Sequence, residues 1–336
     1  MDNTRIYEDI RKRTQGDIYI GVVGPVRTGK STFIKKFMET AVLPNIEGDY
    51  IKERAVDELP QSAAGRTIMT TEPKFIPEQA ARINLENNVN FRVRMVDCVG
   101  YIVPSSLGYI EGESPRMVKT PWFEEEIPFN MAAEIGTQKV ISEHSTIGLV
   151  VTTDGSISDI PRYEYEEAEE RVIRELRDIN KPFIVLLNCM YPDSPAAIEM
   201  SRKLTEKYSV SVMPVNCLDI TEDEIREILK AVLMEFPVKE IDIRVPSWMS
   251  SLACDHNIKK ELFRAVRNYA GSLRCVRNVS DMCTSLVTED YIVTANVNDV
   301  SLGDGKACIT AEITNTVFYE IVTEITGVEV RSEAQL

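Results

Sequence analysis

Eight consecutive residues, Gly24-Pro25-Val26-Arg27-Thr28-Gly29-Lys30-Ser31, narrow the folds open to this chain more than anything else in it. They fit the pattern G-x-x-x-x-G-K-[ST], which works only where a buried strand runs straight into a helix. Both flanks are present. Ile18-Tyr19-Ile20-Gly21-Val22-Val23 is an apolar run of strand length, and Phe33, Ile34, Phe37 and Met38 recur at helical spacing through residues 31–40. Glycines let the backbone curl so that successive N–H groups converge on phosphate oxygens, and the helix N-terminus adds the positive end of its dipole. Chance would supply this pattern in a chain of such length about one time in a hundred, so a phosphate-binding loop is the reading adopted. It makes Gly24, Pro25, Val26, Arg27, Thr28, Gly29, Lys30, Ser31 and Thr32 the phosphate-binding residues. Lys30 would bridge the β and γ phosphates, and the Ser31 hydroxyl would ligate Mg2+, a hard cation that takes oxygen ligands.

The alternation of strand and helix continues. Apolar runs at 91–96, 147–152, 183–187 and 210–215 read as strands, and residues 162–178, 195–208 and 222–236 as helices. Such a pattern predicts an α/β architecture, a P-loop NTPase domain whose mostly parallel sheet is covered by helices on both faces. Pro237 ends the last of these helices. Beyond it the periodicity changes: Ile241-Asp242-Ile243-Arg244-Val245 alternates like a half-exposed strand, followed by a helix at 256–269. Strands at 291–297 and 307–313 flank the turn Leu302-Gly303-Asp304-Gly305-Lys306, and a helix covers 315–326. The expected division is therefore a nucleotide-binding domain over 1–238 and a smaller α+β domain over 239–336, which suits a length of 336 residues. Two stretches, 44–73 and 98–128, read as long irregular loops of the kind that usually serve function.

Composition removes several classes of function. The net charge of −15 speaks against broad attraction to nucleic acid or anionic lipid. Seven cysteines, odd in number and without a Cys-x-x-Cys pair, fit neither a disulfide scaffold nor a zinc ribbon. Two histidines, His144 and His256, are too few to favour a histidine-based metal or catalytic centre. No apolar run approaches a membrane span, and the first residues lack a secretory h-region, so a cytosolic protein is expected.

Two further elements complete the candidate site. Phe91-Arg92-Val93-Arg94-Met95-Val96-Asp97 is a strand that ends in a carboxylate and leads into Cys98-Val99-Gly100. An acid there can hold magnesium, and the D-x-x-G glycine can bring its N–H to the γ-phosphate. Upstream, Thr70 and Thr71 lie in the loop Gly65-Arg66-Thr67-Ile68-Met69-Thr70-Thr71-Glu72-Pro73, where a threonine can complete the metal shell and sense the γ-phosphate. The sequence does not choose between them. Arg27 and Arg66 are candidates for offsetting phosphoryl charge, with solvation at the surface the simpler role for each.

Phosphate loop, loop threonine, D-x-x-G and a strand ending in Asn188: this order resembles the translation-factor-like class of small GTPases over residues 17–236. The chain departs from that class where the base is selected. In place of N-K-x-D it has Asn188-Cys189-Met190-Tyr191, which keeps Asn188 as a nucleotide contact but lacks the carboxylate that accepts from guanine. Tyr101 stands where the class carries a water-positioning glutamine, which implies slow or assembly-stimulated hydrolysis. The loop as spelled here, Thr70-Thr71, Val96-Asp97-Cys98-Val99-Gly100-Tyr101, Leu186-Leu187-Asn188-Cys189 and, later, Ser247-Trp248-Met249 are similar to the stage IV sporulation protein A family of spore-coat morphogenetic ATPases.

That resemblance covers essentially the whole chain. It implies an enzyme that binds ATP with Mg2+, hydrolyses it and polymerises with itself into the basement layer of the spore coat. The place implied is the mother-cell cytoplasm at the outer surface of the forespore. It further implies Lys30 for nucleotide binding, Asp97 for magnesium, and Thr70 or Thr71 for coupling the γ-phosphate to hydrolysis. Family members carry a C-terminal domain, expected to be missing here, that reaches the membrane only indirectly through a small amphipathic partner, stage V sporulation protein M. Other spore coat morphogenetic proteins are implied as partners, and nucleic acid is not. Two other readings stay open: a regulatory GTPase switch, and a nucleotide-binding scaffold without turnover.

Overall fold

In the computed structural model of the chain, which describes residues 3–46, 48–60, 73–85, 89–111, 114–271, 273–287 and 291–336, Tyr7 and Ile10 are both buried. Their spacing of three gives the first helix, α1 (Asn3–Thr14), a narrow apolar edge. Strand β1 (Asp17–Val23) follows, buried from Ile20 onward, and α2 (Lys30–Phe37) buries Phe33, Ile34 and Phe37. Residues 44–73, expected to be irregular, contain α3 (Asp49–Asp57). That helix buries Ala55 while Tyr50 and Ile51 stay exposed, so no apolar stripe marks it in the sequence.

Strand β2 (Lys74–Leu85) was also not expected. It pairs antiparallel with β3 (Val89–Asp97), with a register shift between Ile76 and Ala81. Pro77 falls in that shift, and β2 lies at the edge of its sheet, where a residue without an N–H is tolerated. The second stretch expected as loop holds two small antiparallel pairs, β4 (Ile110–Glu111) with β5 (Ser114–Pro115), and β6 (Met117–Val118) with β7 (Ile127–Pro128). Helix α4 (Phe129–Lys139) then leads to β8 (Ile147–Thr153), in which every residue is buried. Helix α5 (Glu166–Asp178), strand β9 (Phe183–Asn188), helix α6 (Pro195–Tyr208), strand β10 (Val212–Val215) and helix α7 (Glu222–Met234) complete this unit. Its extent is Met1–Glu235.

The sheet runs β10-β9-β8-β1-β3-β2, and every pairing except β2 with β3 is parallel. The architecture is α/β with a mostly parallel sheet. Strand β1 lies between β3 and β8, so the chain leaves it toward one side of the sheet and later returns on the other. The crevice beyond its C-terminal end is where open α/β sheets receive ligands.

The second unit, Phe236–Leu336, is built on β11 (Glu240–Arg244), α8 (Asn257–Ala270), α9 (Val279–Leu286), β12 (Ile292–Ser301), β13 (Lys306–Ile313) and α10 (Asn315–Thr326). Its sheet has the order β11-β13-β12, with β11 parallel and β12 antiparallel to β13. Ile309, Leu286, Val279 and Ile258 meet in its core. His256 caps α8, its Nδ1 accepting from the Ile258 N–H at 3.3 Å. None of the seven cysteines forms a disulfide. Among the described residues no helix is long and apolar enough to cross a membrane.

Candidate nucleotide-binding site

Between Val23, the last residue of β1, and Lys30, the first of α2, the backbone makes the turn that the motif demands. Gly29 precedes the helix at φ 94°, and a Cβ there would lie 2.2 Å from the Asn188 amide nitrogen. Only glycine fits both conditions. Arg27 adopts the left-handed region as well, at φ 63°. It is half-buried rather than solvated, close enough to the Tyr165 phenol for the two to interact, and burial pulls its pKa below the ordinary arginine value. Thr28 is fully buried and donates from its hydroxyl to the Pro25 carbonyl at 3.0 Å. Pro25 and Val26 are buried, whereas Ser31 and Thr32, on the first turn of α2, are half-buried.

Lys30 is 5% exposed, and its ammonium donates to the carbonyls of Pro25 at 2.6 Å and Gly24 at 3.4 Å. Burial pulls its pKa down, against the pull of neighbouring Cys98 and Asp97. A cation so placed gains most by meeting anionic oxygen.

Asp97 ends β3 opposite Val22 of β1. The Ser31 hydroxyl donates to its Oδ2 at 2.7 Å, so residues 66 positions apart in the chain meet beside Lys30. The other carboxylate oxygen, Oδ1, is buried and has no hydrogen-bond partner among the described residues. Burial raises the Asp97 pKa, opposed by the Ser31 hydrogen bond and the Lys30 charge. A hydroxyl and a carboxylate side by side, one oxygen lacking a partner, are the donor set of a hard divalent cation, and Mg2+ fits. Among the described residues no group of three or more His, Cys, Asp or Glu forms a metal cage.

Gly100 closes over the loop at φ 90°; a Cβ there would sit 2.1 Å from the Gly24 carbonyl oxygen and 2.6 Å from Lys30 Nζ. Its backbone thus packs directly against Lys30. Tyr101 follows, 3% exposed. Thr70, Thr71 and Arg66 lie outside the described residues.

Asn188 is buried at the end of β9, with both ends of its amide engaged by backbone. Nδ2 donates to the Thr28 carbonyl at 3.0 Å, and Oδ1 accepts from the Cys217 N–H at 3.1 Å. It braces the phosphate loop from behind. Substituting Asn188→Ala is expected to weaken nucleotide binding about tenfold, because it leaves the buried Thr28 carbonyl and the Cys217 N–H without this partner and loosens the loop. Titration with a fluorescent ATP analogue checks this, and parent-like affinity would show the brace to be dispensable.

Two bridges around Met190, just past Asn188, were not read from the sequence. The Met190 N–H donates to Ser156 Oγ at 3.0 Å, and the Asn216 amide links the Met190 carbonyl at 3.5 Å with the Leu218 N–H at 3.0 Å. The turn Asp154-Gly155-Ser156 directly after β8 was the signal available for the first. Tyr191 is 70% exposed, and Met190 and Leu218 are exposed beside the bridged loops.

Residues 1–237 match the family model for the stage IV sporulation protein A ATPase domain, and residues 238–336 the model for its middle domain. The chain is 46% identical over 334 residues to stage IV sporulation protein A of Clostridioides difficile (strain 630), covering 99% of this chain and 68% of that protein. Against the Bacillus subtilis (strain 168) protein of the same name it is 46% identical over 336 residues, covering 100% and 68%. Similarity to solved structures is more distant. A mutation variant of SsGBP aligns at TM-score 0.35 and 16% identity over 65% of this chain and 57% of its own. Translation elongation factor SelB from Methanococcus maripaludis, in complex with the GTP analogue GppNHp, aligns at TM-score 0.36 and 15% identity over 64% and 33%.

Proposed function

The chain belongs to the stage IV sporulation protein A family, and from that premise we propose that it binds ATP with Mg2+ at residues 24–32, hydrolyses it slowly, and polymerises into the basement layer of the spore coat. A sporulation protein with an ATPase domain is what membership itself states. The observation that carries the chemistry further is the meeting of buried Lys30 with the Ser31 and Asp97 oxygens at the mouth of the sheet.

In this reading the N–H groups at the start of α2 and the Lys30 ammonium take up the phosphate charge. Ser31 and Asp97 would hold Mg2+, which when bound would neutralise charge on the phosphate oxygens. Gly100, whose backbone lies on Lys30, offers its N–H to the γ-phosphate, and Thr70 or Thr71 couples that phosphate to turnover. Tyr191 stands where a guanine-accepting carboxylate would be needed, which removes the main basis for choosing GTP. The resemblance also supports self-assembly at the forespore surface of the mother-cell cytoplasm. Contact with stage V sporulation protein M and other coat morphogenetic proteins belongs to the same proposal, with membrane reached only through that partner.

The test offers the protein equal ATP and GTP with Mg2+ and follows phosphate release and sedimentation together. Slow consumption of ATP, and pelleting that requires it, are expected. Preferential consumption of GTP, or equal pelleting without nucleotide, would overturn the proposal.

A further inference from the structure

Tyr101 occupies the position directly after the glycine that closes over Lys30, and every part of it is held. Its N–H donates to the Gly24 carbonyl at 3.3 Å and its carbonyl accepts from the Val26 N–H at 2.9 Å, a two-bond bridge onto the phosphate loop. Its side chain turns away from that loop into the helical layer. There the phenol donates to Glu175 on α5, and the Arg171 guanidinium, one turn earlier on the same helix, lies 4.4 Å from the ring centroid. Arg171 in turn donates to Glu175 at 3.2 Å and to Glu134 on α4 at 2.8 Å. Five residues further along the loop from Gly100, the N–H and hydroxyl of Ser105 both donate to Glu164 at 2.7 Å.

We infer that Tyr101 is a positioning residue for hydrolysis, whose bond to Glu175 fixes the backbone of Gly100 against Lys30. Gly100 and Tyr101 share a peptide bond, and Gly100 has no side chain with which to hold its own place. Its φ of 90° and its approach to Lys30 leave no slack. A donor to transferring phosphate must be placed within a fraction of an ångström, and a misplacement of about 1 Å can cost a hundredfold. The anchor that sets this position is a buried phenol bonded to a carboxylate, a stronger bond than one between neutral groups. The side chain thus does different work from the glutamine of the GTPase class. It reaches the helices rather than the attacking water, and couples the γ-phosphate contact to α4 and α5.

This inference rests on the hydrolysis reading above, and the experiment separates the two. Tyr101→Phe keeps the ring and its contact with Arg171 but removes the donor; Glu175→Gln weakens the same bond from the other side. Each is expected to lower kcat for ATP about tenfold while KM stays within about twofold, and the double variant should be no slower than either single one. Tyr101→Gln, too short to reach Glu175, should also be slower than the parent. Parent kcat in Tyr101→Phe and Glu175→Gln, losses that multiply in the double variant, a loss confined to KM, or faster hydrolysis by Tyr101→Gln would each overturn the inference alone. Absence of ATP turnover in the parent would overturn it together with the hydrolysis reading.

Discussion

Replacing Lys30 by alanine is expected to lower ATP hydrolysis about a thousandfold and to abolish ATP-dependent sedimentation with it. Lys30 brings a full positive charge, 5% exposed, to the point where Gly24, Asp97 and Gly100 converge. Charge held out of water acts on phosphate with little screening, so its loss is felt mainly where negative charge builds up. The fold itself should tolerate the change. The Pro25 carbonyl that Lys30 engages also accepts from the Thr28 hydroxyl, and the Gly24 carbonyl from the Tyr101 N–H. Truncation therefore leaves neither oxygen without a partner. Phosphate release, sedimentation with ATP and a thermal melt on one preparation decide the matter. A parent-like melt with no hydrolysis is expected. Parent-like hydrolysis and pelleting would mean that the loop does not serve catalysis.

Strands β8 and β9 were legible because they are buried on both faces and so read as unbroken apolar runs. The phosphate loop was legible because its glycines, lysine and serine must stand at fixed spacing. Helix α4 escaped notice for the opposite reason: its buried face consists largely of Ala132, Ala133, Gly136 and Thr137, small residues that pack closely without an apolar signal. The acidic and basic side chains of α1 similarly hide the pair Tyr7 and Ile10. At the site, residue types could be named but their partners could not. Asn188 was read as a contact for the nucleotide, and it bonds Thr28, 160 positions away. Tyr101 was read as a missing glutamine, and it bonds Glu175, 74 positions away. Neither partner has a local pattern, because a single hydrogen bond between distant segments leaves no periodicity behind.

Asp97→Asn should separate activity from stability in opposite directions. Hydrolysis is expected to fall on the order of a hundredfold to a thousandfold, since the amide keeps an acceptor for Ser31 but gives up the charge that a divalent cation requires. The nucleotide-free protein should melt no lower than the parent. Among the described residues Asp97 Oδ1 lies out of water with no hydrogen-bond partner, and burial raises the carboxylate's pKa in spite of the Ser31 bond and the Lys30 charge. Such a carboxylate costs the fold stability, so removing its charge should return up to about 1 kcal/mol. A ligand that binds only the folded state raises its melting temperature, so ATP with Mg2+ should stabilise the parent more than the variant. Thermal melts with and without ATP and Mg2+, set beside phosphate release, read all three effects. A nucleotide-free variant that melts well below the parent would make Asp97 a structural residue. Residues kept at a cost to the fold are more often explained by the ligand they await.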